Sequence, residues 1–322
     1  MHGANIHYQT RDGISMLHVS AQGDNPASLT YFLDKGMSIN LRDAQGDTPL
    51  HCAAVNSAEI SIQYIVANGG NIDQRNKLGQ TPLHKAVMKW REHESSKGIK
   101  ELLYKGADRN KIDFEKKKPV DHLPPLNPGE KDDPLAAIIR SALKDEWTFK
   151  GDFLMISPVY KKKKKSQWTL ICYFCLMILS VAMLEKSTYE IMRDSGTSTW
   201  LLCGSQVLFV IACLLCVAVW FSDPGIIKSD PSLNMTKLLE SMEASSLCPD
   251  CKIVKTGRCS HCRLCNQCVD RFDHHCPWVN NCIGKGNFGR FYSFVFMQTA
   301  YLISVIICSM VCKYSESFLD HR

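Results

Sequence analysis

The residues Gly46-Asp47-Thr48-Pro49-Leu50-His51 occur again as Gly79-Gln80-Thr81-Pro82-Leu83-His84, 33 positions further along the chain. A degraded copy at 13–18 lies 33 positions before the first. Two glycines show the same spacing, since Gly36 and Gly69 are also 33 residues apart. Self-similarity at such a period is typical of stacked supersecondary units that bury a shared core.

The residue types fit a pair of helices in each unit. A threonine can cap the first helix, proline suits its first turn, and a glycine after the second helix suits a left-handed cap. The period and the Thr-Pro-Leu-His signature resemble ankyrin repeats, which implies an all-α ankyrin-repeat solenoid over 1–122 that acts as a binding surface. We interpret His51 and His84 as structural hydrogen-bonding residues. Trp90 and an insertion near 92–98 either contact a partner or pack within the repeats.

The next segment, 123–167, combines a proline-rich break with a basic juxtamembrane stretch, and its apolar part at 135–143 predicts a short helix that caps the repeats. Apolar runs then follow at 168–184, 200–221 and 291–312. A run of 22 residues spans about 33 Å as a helix, which is enough for the bilayer core. Helices buried in a soluble core are the alternative, but these runs lack a polar stripe. The sequence predicts a multi-span α-helical membrane domain.

Charge predicts the orientation of these spans. Five consecutive lysines at 161–165 precede the first run, and the loop between the second and third runs is also rich in Lys and Arg. By the positive-inside rule, the repeats and this loop face the cytosol. The polar start at 1–13 predicts no signal peptide. A composition of 45% hydrophobic and 22% charged residues excludes a disordered chain, and a net charge of +6 does not require a nucleic-acid partner.

Half of the 16 cysteines lie in one cytosolic stretch, 246–290. In a reducing compartment such cysteines are metal ligands or nucleophiles rather than disulfides. Together with three histidines they offer eleven ligands, whereas two tetrahedral zinc sites need eight, so spacing alone leaves the choice open. These residues are Cys248, Cys251, Cys259, Cys262, Cys265, Cys268, Cys276, Cys282, His261, His274 and His275.

The local backbone around Cys276 reduces the number of possible zinc-ligand assignments. Cys276 precedes Pro277, which favours an extended backbone. Residues two apart on an extended segment share a face, so His274 can lie beside Cys276 while His275 points away and is free to hold zinc. With Asp273 behind the imidazole, this is the pattern of an activated nucleophile.

Three features of the sequence resemble those of a known protein family. Asp273-His274-His275-Cys276-Pro277-Trp278 with Asn280-Asn281-Cys282-Ile283-Gly284 resembles the DHHC cysteine-rich domain of protein S-acyltransferases. Asp223-Pro224-Gly225, after the second run, is similar to that family's Asp-Pro-Gly motif. Repeats of the ankyrin type before the first span are similar to the huntingtin-interacting palmitoyltransferase subgroup.

The resemblance implies a function and its residues. One structural zinc would be held by Cys248, Cys251, His261 and Cys268, and a second by Cys262, Cys265, His275 and Cys282. Asp273, His274 and Cys276 would then be catalytic. Cys276 would take a palmitoyl chain from palmitoyl-CoA and pass it to cysteines of substrate proteins that the ankyrin repeats recruit. The chain would be a multi-pass protein of the Golgi or another endomembrane. Arg258, Arg263, Arg271, Lys285 and Arg290 would either meet CoA phosphates or be solvated.

The sequence also departs from the family pattern. Lys255-Thr256-Gly257-Arg258 lacks the family's proline, and the family's fourth span and Thr-Thr-x-Glu motif do not follow the third run. The resemblance therefore implies a chain truncated after the third span. The alternative function is a catalytically inactive membrane-tethered ankyrin adaptor. A ubiquitin-ligase RING is disfavoured because a terminal Cys-x2-Cys pair is missing, and a nucleic-acid zinc knuckle because two spans flank the cysteines.

Overall fold

The computed structural model describes residues 5–125, 133–144, 171, 174–182, 199–230 and 232–319. The chain divides into two compact units. The first comprises Met1–Lys163 and Lys228–Lys255, and the second comprises Lys164–Ile227 and Thr256–Arg322. Of the predicted span at 168–184, only residue 171 and residues 174–182 are described, and they are helical. The lysine run at 161–165 lies outside the described residues.

Short helices build most of the first unit, and they match the two helices predicted for each repeat. After the repeats come a 3-10 helix, Pro119–His122, and α8 (Pro134–Leu143). The preceding helices are α1 (Met16–Gln22), α2 (Pro26–Asp34), α3 (Pro49–Val55), α4 (Glu59–Ala67), α5 (Pro82–Met88), α6 (Trp90–His93) and α7 (Lys97–Tyr104).

A histidine in each repeat joins it to the next one. Nδ1 of His51 accepts the backbone N–H of Thr48 at 3.1 Å and contacts its hydroxyl at 2.9 Å. Because Nδ1 is an acceptor, the proton lies on Nε2, which donates to the carbonyl of Gln80 at 3.1 Å. His84 repeats the pattern one unit later, with Thr81 and with the carbonyl of Lys117. The structural interpretation of these histidines is confirmed.

The core of the repeats is apolar and continuous. Leu50, Leu83 and Ile62 are at most 1% exposed and belong to one cluster. Trp90 is 5% exposed and belongs to the same cluster, so it packs within the repeats. Gly69 has φ +89°, the left-handed conformation expected after a second helix.

The first unit contains a second segment. Helix α10 (Met235–Ser241) packs against α2, and a two-stranded hairpin follows, made of β1 (Leu247–Cys248) and β2 (Ile253–Val254). Helix α8 contributes Ile139 and Ala142 to the core, both at most 1% exposed, in agreement with the predicted capping helix.

The second unit has two long apolar helices, α9 (Thr199–Phe221) and α11 (Phe288–Leu319), which pack against each other. Their segments Cys203–Phe221 and Phe288–Val311 are long and apolar enough to cross a membrane. They overlap the predicted spans at 200–221 and 291–312. Along the chain, two antiparallel hairpins come between these helices. They are β3 (Ser260–Cys262) with β4 (Gln267–Val269), and β5 (His274–Cys276) with β6 (Asn281–Ile283).

The loop after α9 is fixed to the second of these hairpins. The Asn281 side-chain amide donates to the carbonyls of Val219, Trp220 and Ser222 at 3.0, 3.3 and 2.8 Å, which satisfies carbonyls that a helix end leaves unpaired. Gly225 adopts φ +96°, and its carbonyl accepts the N–H of Asp270. The Asp-Pro-Gly motif thus ends the helix and holds the cysteine-rich hairpins beside it.

Candidate catalytic and zinc-binding site

Four side chains of the second unit converge into one group, named here the His275 cluster: Cys262, Cys265, His275 and Cys282. The backbone brings them together, because His275 and Cys282 are register partners across β5 and β6. Nδ1 of His275 lies 3.9, 3.4 and 3.6 Å from the sulfurs of Cys262, Cys265 and Cys282. The sulfurs of Cys265 and Cys282 are 3.3 Å apart.

These distances suit a tetrahedral zinc ion. With Zn–S bonds of about 2.3 Å and Zn–N bonds of about 2.0 Å, the edges of the tetrahedron measure about 3.5–3.8 Å. Burial lowers the pKa of His275, but hydrogen bonds and charges of Cys262 and Cys265 outweigh it and raise that pKa to about 9. The sulfurs therefore attract positive charge to this position, and zinc would supply that charge in place of the proton.

The other four predicted ligands are divided between the two units, Cys248 and Cys251 in the first and His261 and Cys268 in the second. In the first unit, the β1–β2 hairpin carries Cys248 on β1 and Cys251 in its turn. In the second unit, His261 and Cys268 are register partners, with Nδ1 and Sγ 3.7 Å apart. Each pair supplies donor types that structural zinc sites use.

A third group, His84, Asp113 and His122, has metal-binding residue types but a different explanation. Both ring nitrogens of His84 already take part in the hydrogen bonds between repeats. Nε2 of His122 contacts the Asp113 carboxylate at 2.9 Å. We assign this group to the structure of the repeats.

Cys276 lies at the end of β5 in an apolar setting. It is 5% exposed and shares a cluster with Val219 of α9 and Phe294 of α11. Burial raises the pKa of the Cys276 thiol, while hydrogen bonds from the backbone amides of Val279 and Trp278 act in the opposite direction. Those two amides are suited to stabilising a thiolate, and residue-type patterns gave no sign of them.

Beside this cysteine the strand carries an imidazole–carboxylate pair. Nδ1 of His274 lies 3.3 Å from Oδ2 of Asp273, and both side chains are about half exposed. The His274 ring also packs edge-on against Phe291 of α11, with ring centroids 5.5 Å apart. Because β5 is extended, His274 and Cys276 share one face of the strand and His275 takes the other. The Phe291 contact was not predicted from the sequence.

A solvent-open cavity of about 940 Å³ adjoins this pair in the second unit. Asp273 lines it together with the basic residues Arg258, Arg271 and Lys285. The other two basic residues singled out in the sequence, Arg263 and Arg290, do not line it. Three cations around one cavity suit a polyanionic ligand.

Two family models match this chain. The DHHC palmitoyltransferase model matches residues 241–319, and the ankyrin-repeat model matches residues 1–76 and 17–113. The two matched regions contain the His275 cluster and the repeats, respectively.

Curated relatives agree with these matches. Protein S-acyltransferase 8 of Arabidopsis thaliana is 47% identical over 75 residues, which are 23% of this chain and 18% of that protein. Palmitoyltransferase ZDHHC17 is 45% identical over 82 residues in Danio rerio, covering 24% of this chain and 13% of the relative. In Homo sapiens it is 41% identical over 97 residues, covering 29% and 15%. The aligned part thus spans less than a fifth of each of these relatives. This chain carries a DHHC palmitoyltransferase domain together with ankyrin repeats.

Proposed function

We propose that this chain is a protein S-acyltransferase that moves a palmitoyl chain from palmitoyl-CoA to substrate cysteines through an acyl-Cys276 intermediate. The observation that supports this most is the setting of Cys276. On one side its strand presents the His274–Asp273 pair, and on the other the sulfur lies among apolar residues of α9 and α11. A nucleophile that receives a fatty chain needs both a base and an apolar region for the chain.

In the first half-reaction, His274 takes the thiol proton of Cys276 while Asp273 stabilises the imidazolium. The thiolate attacks the thioester carbon of palmitoyl-CoA, and the backbone amides of Trp278 and Val279 stabilise the sulfur. The bond between the acyl carbon and the CoA sulfur breaks. The departing CoA thiolate then takes the proton from His274.

In the second half-reaction, the thiolate of a substrate cysteine attacks the acyl carbon on Cys276. His274 first takes the proton of the substrate thiol; the acyl chain then moves to the substrate, the bond between the acyl carbon and the Cys276 sulfur breaks, and the leaving Cys276 thiolate takes the proton back from His274. No electrons are exchanged with another reactant. Zinc in the two four-ligand clusters would hold the hairpins in shape, because a closed site leaves no position for substrate.

The cavity beside Asp273 is the proposed place for the CoA head group. Its Arg258, Arg271 and Lys285 side chains would contact the phosphates, because Arg and Lys bind phosphate through charge-assisted hydrogen bonds. The proposal predicts that Arg271→Glu raises KM for palmitoyl-CoA more than it lowers kcat.

The ankyrin repeats would recruit the substrate proteins, since stacked repeats present an extended binding surface. With the repeats and the cysteine-rich domain on the cytosolic side, a recruited cysteine and Cys276 would be in the same compartment. The proposed location is the Golgi or another endomembrane, with at least the segments Cys203–Phe221 and Phe288–Val311 in the bilayer.

The experiment is autoacylation. Detergent-solubilised chain is incubated with labelled palmitoyl-CoA, and hydroxylamine-sensitive label is counted. Wild type should be labelled, Cys276→Ser should not, and Cys52→Ala should remain labelled because Cys52 lies in α3 of the repeats. Labelling of Cys276→Ser at the wild-type level would contradict the assignment. A wild type without label would favour the inactive ankyrin adaptor.

A further inference from the structure

The segment that carries Cys248 and Cys251 is built into the repeats. Helix α10 packs against α2, and Leu239 and Leu247 are 8% and 1% exposed within the same apolar cluster as Leu102 and Leu103 of α7. Thr236 at the start of α10 donates a hydrogen bond to the Asp34 carboxylate at 2.5 Å. The repeats thus bury the chain on the amino-terminal side of the zinc-type hairpin.

An ion pair joins the hairpin itself to the third repeat. Nζ of Lys105 lies 2.9 and 2.6 Å from the two carboxylate oxygens of Asp250. The side chains are only 14% and 21% exposed, so solvent screens the pair less than a surface pair. Asp250 lies between Cys248 and Cys251, so the position of its carboxylate constrains both cysteines.

A buried tyrosine lies under the same hairpin. Tyr64 of α4 is 2% exposed, and its hydroxyl has no hydrogen-bond partner within the described part of the chain. Tyr64 lines a cavity of about 480 Å³ together with Pro249 and Lys252 in the turn of this hairpin, so its side chain lies beside the hairpin. A buried hydroxyl needs an acceptor, and a metal-bound thiolate is one.

We propose that the ankyrin repeats position the Cys248–Cys251 hairpin for zinc, with Lys105 and Tyr64 as the positioning residues. Lys105 fixes the hairpin through Asp250, and the Tyr64 hydroxyl donates to the Cys248 thiolate once zinc is bound. The repeats then support a zinc-binding hairpin of their own chain, in addition to any substrate that they recruit. The inference rests on the proposed function only in taking these cysteines as zinc ligands.

The test measures zinc affinity of the full detergent-solubilised chain against a competing chelator, in the Cys276→Ser background so that acylation plays no part. Lys105→Glu and Asp250→Lys should each weaken binding of one of the two zinc ions about tenfold, the lower end of the effect of outer-shell partners. The double variant, which restores opposite charges, should recover most of the affinity. Lys97→Glu, an exposed residue at the other end of α7, is the matched control.

Tyr64→Phe keeps the ring and removes only the hydroxyl, so it tests the inference should the charge variants fold poorly. It should release zinc faster than wild type, with unchanged hydrogen exchange in α4. Zinc affinity equal to the Lys97→Glu control in Tyr64→Phe and in the charge variants would overturn the inference while leaving the acyltransferase proposal intact. If these variants weaken zinc binding as expected but the wild-type chain takes no palmitate label, only the acyltransferase proposal is overturned.

Discussion

The ankyrin repeats and the β3–β6 hairpins are stabilised in different ways. The repeats bury a continuous set of leucine, isoleucine and alanine side chains, and histidine hydrogen bonds recur at each repeat. Each hairpin has strands of only three residues, and their buried apolar residues form small clusters, one around Cys262, Val269 and Cys282 and one in which Ile283 packs with residues of α9 and α11. Strands this short cannot stabilise themselves. The repeats therefore depend on burial, whereas we expect the hairpins to depend on zinc binding.

The contrast fits the proposal that the catalytic cysteine lies in the hairpins. A thiolate in a large apolar core would be costly, because burial favours the neutral thiol. Zinc ligation would hold the short strand β5 rigid without such a core, with His274 and Cys276 on one face of the strand and apolar side chains of α9 and α11 around the Cys276 sulfur.

The largest expected effect is zinc removal. A strong chelator should abolish hydrogen-exchange protection in β3–β6 and leave α1, α3 and α5 protected, because structural zinc contributes about 10–16 kcal/mol to folding of small zinc domains. Hydrogen exchange with mass spectrometry of the solubilised chain measures both regions at once, with the chelator-treated and zinc-restored samples compared. If the hairpins kept their hydrogen-exchange protection after metal loss, the expectation that they depend on zinc would be wrong.

A substitution in the core of the repeats should destabilise the repeats and leave the hairpins unchanged. Leu83→Ala removes a fully buried side chain from α5, so the free energy of unfolding of the repeats should fall by about 2–5 kcal/mol. Leu78→Ala is the matched control, because Leu78 is 60% exposed and the same change should cost less than about 0.5 kcal/mol. Urea unfolding of the repeats, followed by hydrogen exchange, measures both variants. A comparable loss of zinc from the His275 cluster in Leu83→Ala would show that the two regions share one source of stability.

The smallest expected effect is the pH dependence of the repeats. Burial lowers the pKa of His18, His51 and His84 below the ordinary value of 6.5. The unfolded chain therefore binds more protons than the folded repeats below about pH 6.5, so stability is complete above that pH and is lost as the pH falls through the folded-state pKa values. Hydrogen exchange at pH 7.5 and pH 5.0, corrected for the intrinsic rate, measures this in α1, α3 and α5. In His51→Gln the protection of the repeats should depend less on pH. An unchanged pH dependence would contradict its attribution to the buried histidines.

Much of the fold could be read from patterns along the chain. The 33-residue offset between Leu50 and Leu83 predicted repeating helices because one structural unit recurs in one register, and the structure has α3 and α5 at those positions. Apolar run length predicted α9 and α11 because a bilayer requires about twenty such residues. The number of membrane spans stays a prediction, and the segment 123–167 is only partly described.

The candidate site could be predicted less completely. Extended geometry at Cys276 separates His274 from His275 by strand alternation, which is a local property of the sequence. The Trp278 and Val279 amides, the Phe291 ring and the Asn281 contacts depend on the path of the backbone between elements, so residue type did not indicate them. The zinc-ligand sets and the catalytic roles remain predictions that the experiments above address.

The sequence by itself determined the repeat period, the apolar segments and the supply of thiol and imidazole ligands, because each depends on spacing along one stretch of chain. Only the tertiary structure decided that Asp250 meets Lys105, 145 residues away, and that Tyr64 lines one cavity with Pro249 and Lys252. Such contacts join residues that are distant in sequence, and they form because the apolar faces of α10 and of the repeats remove each other from water.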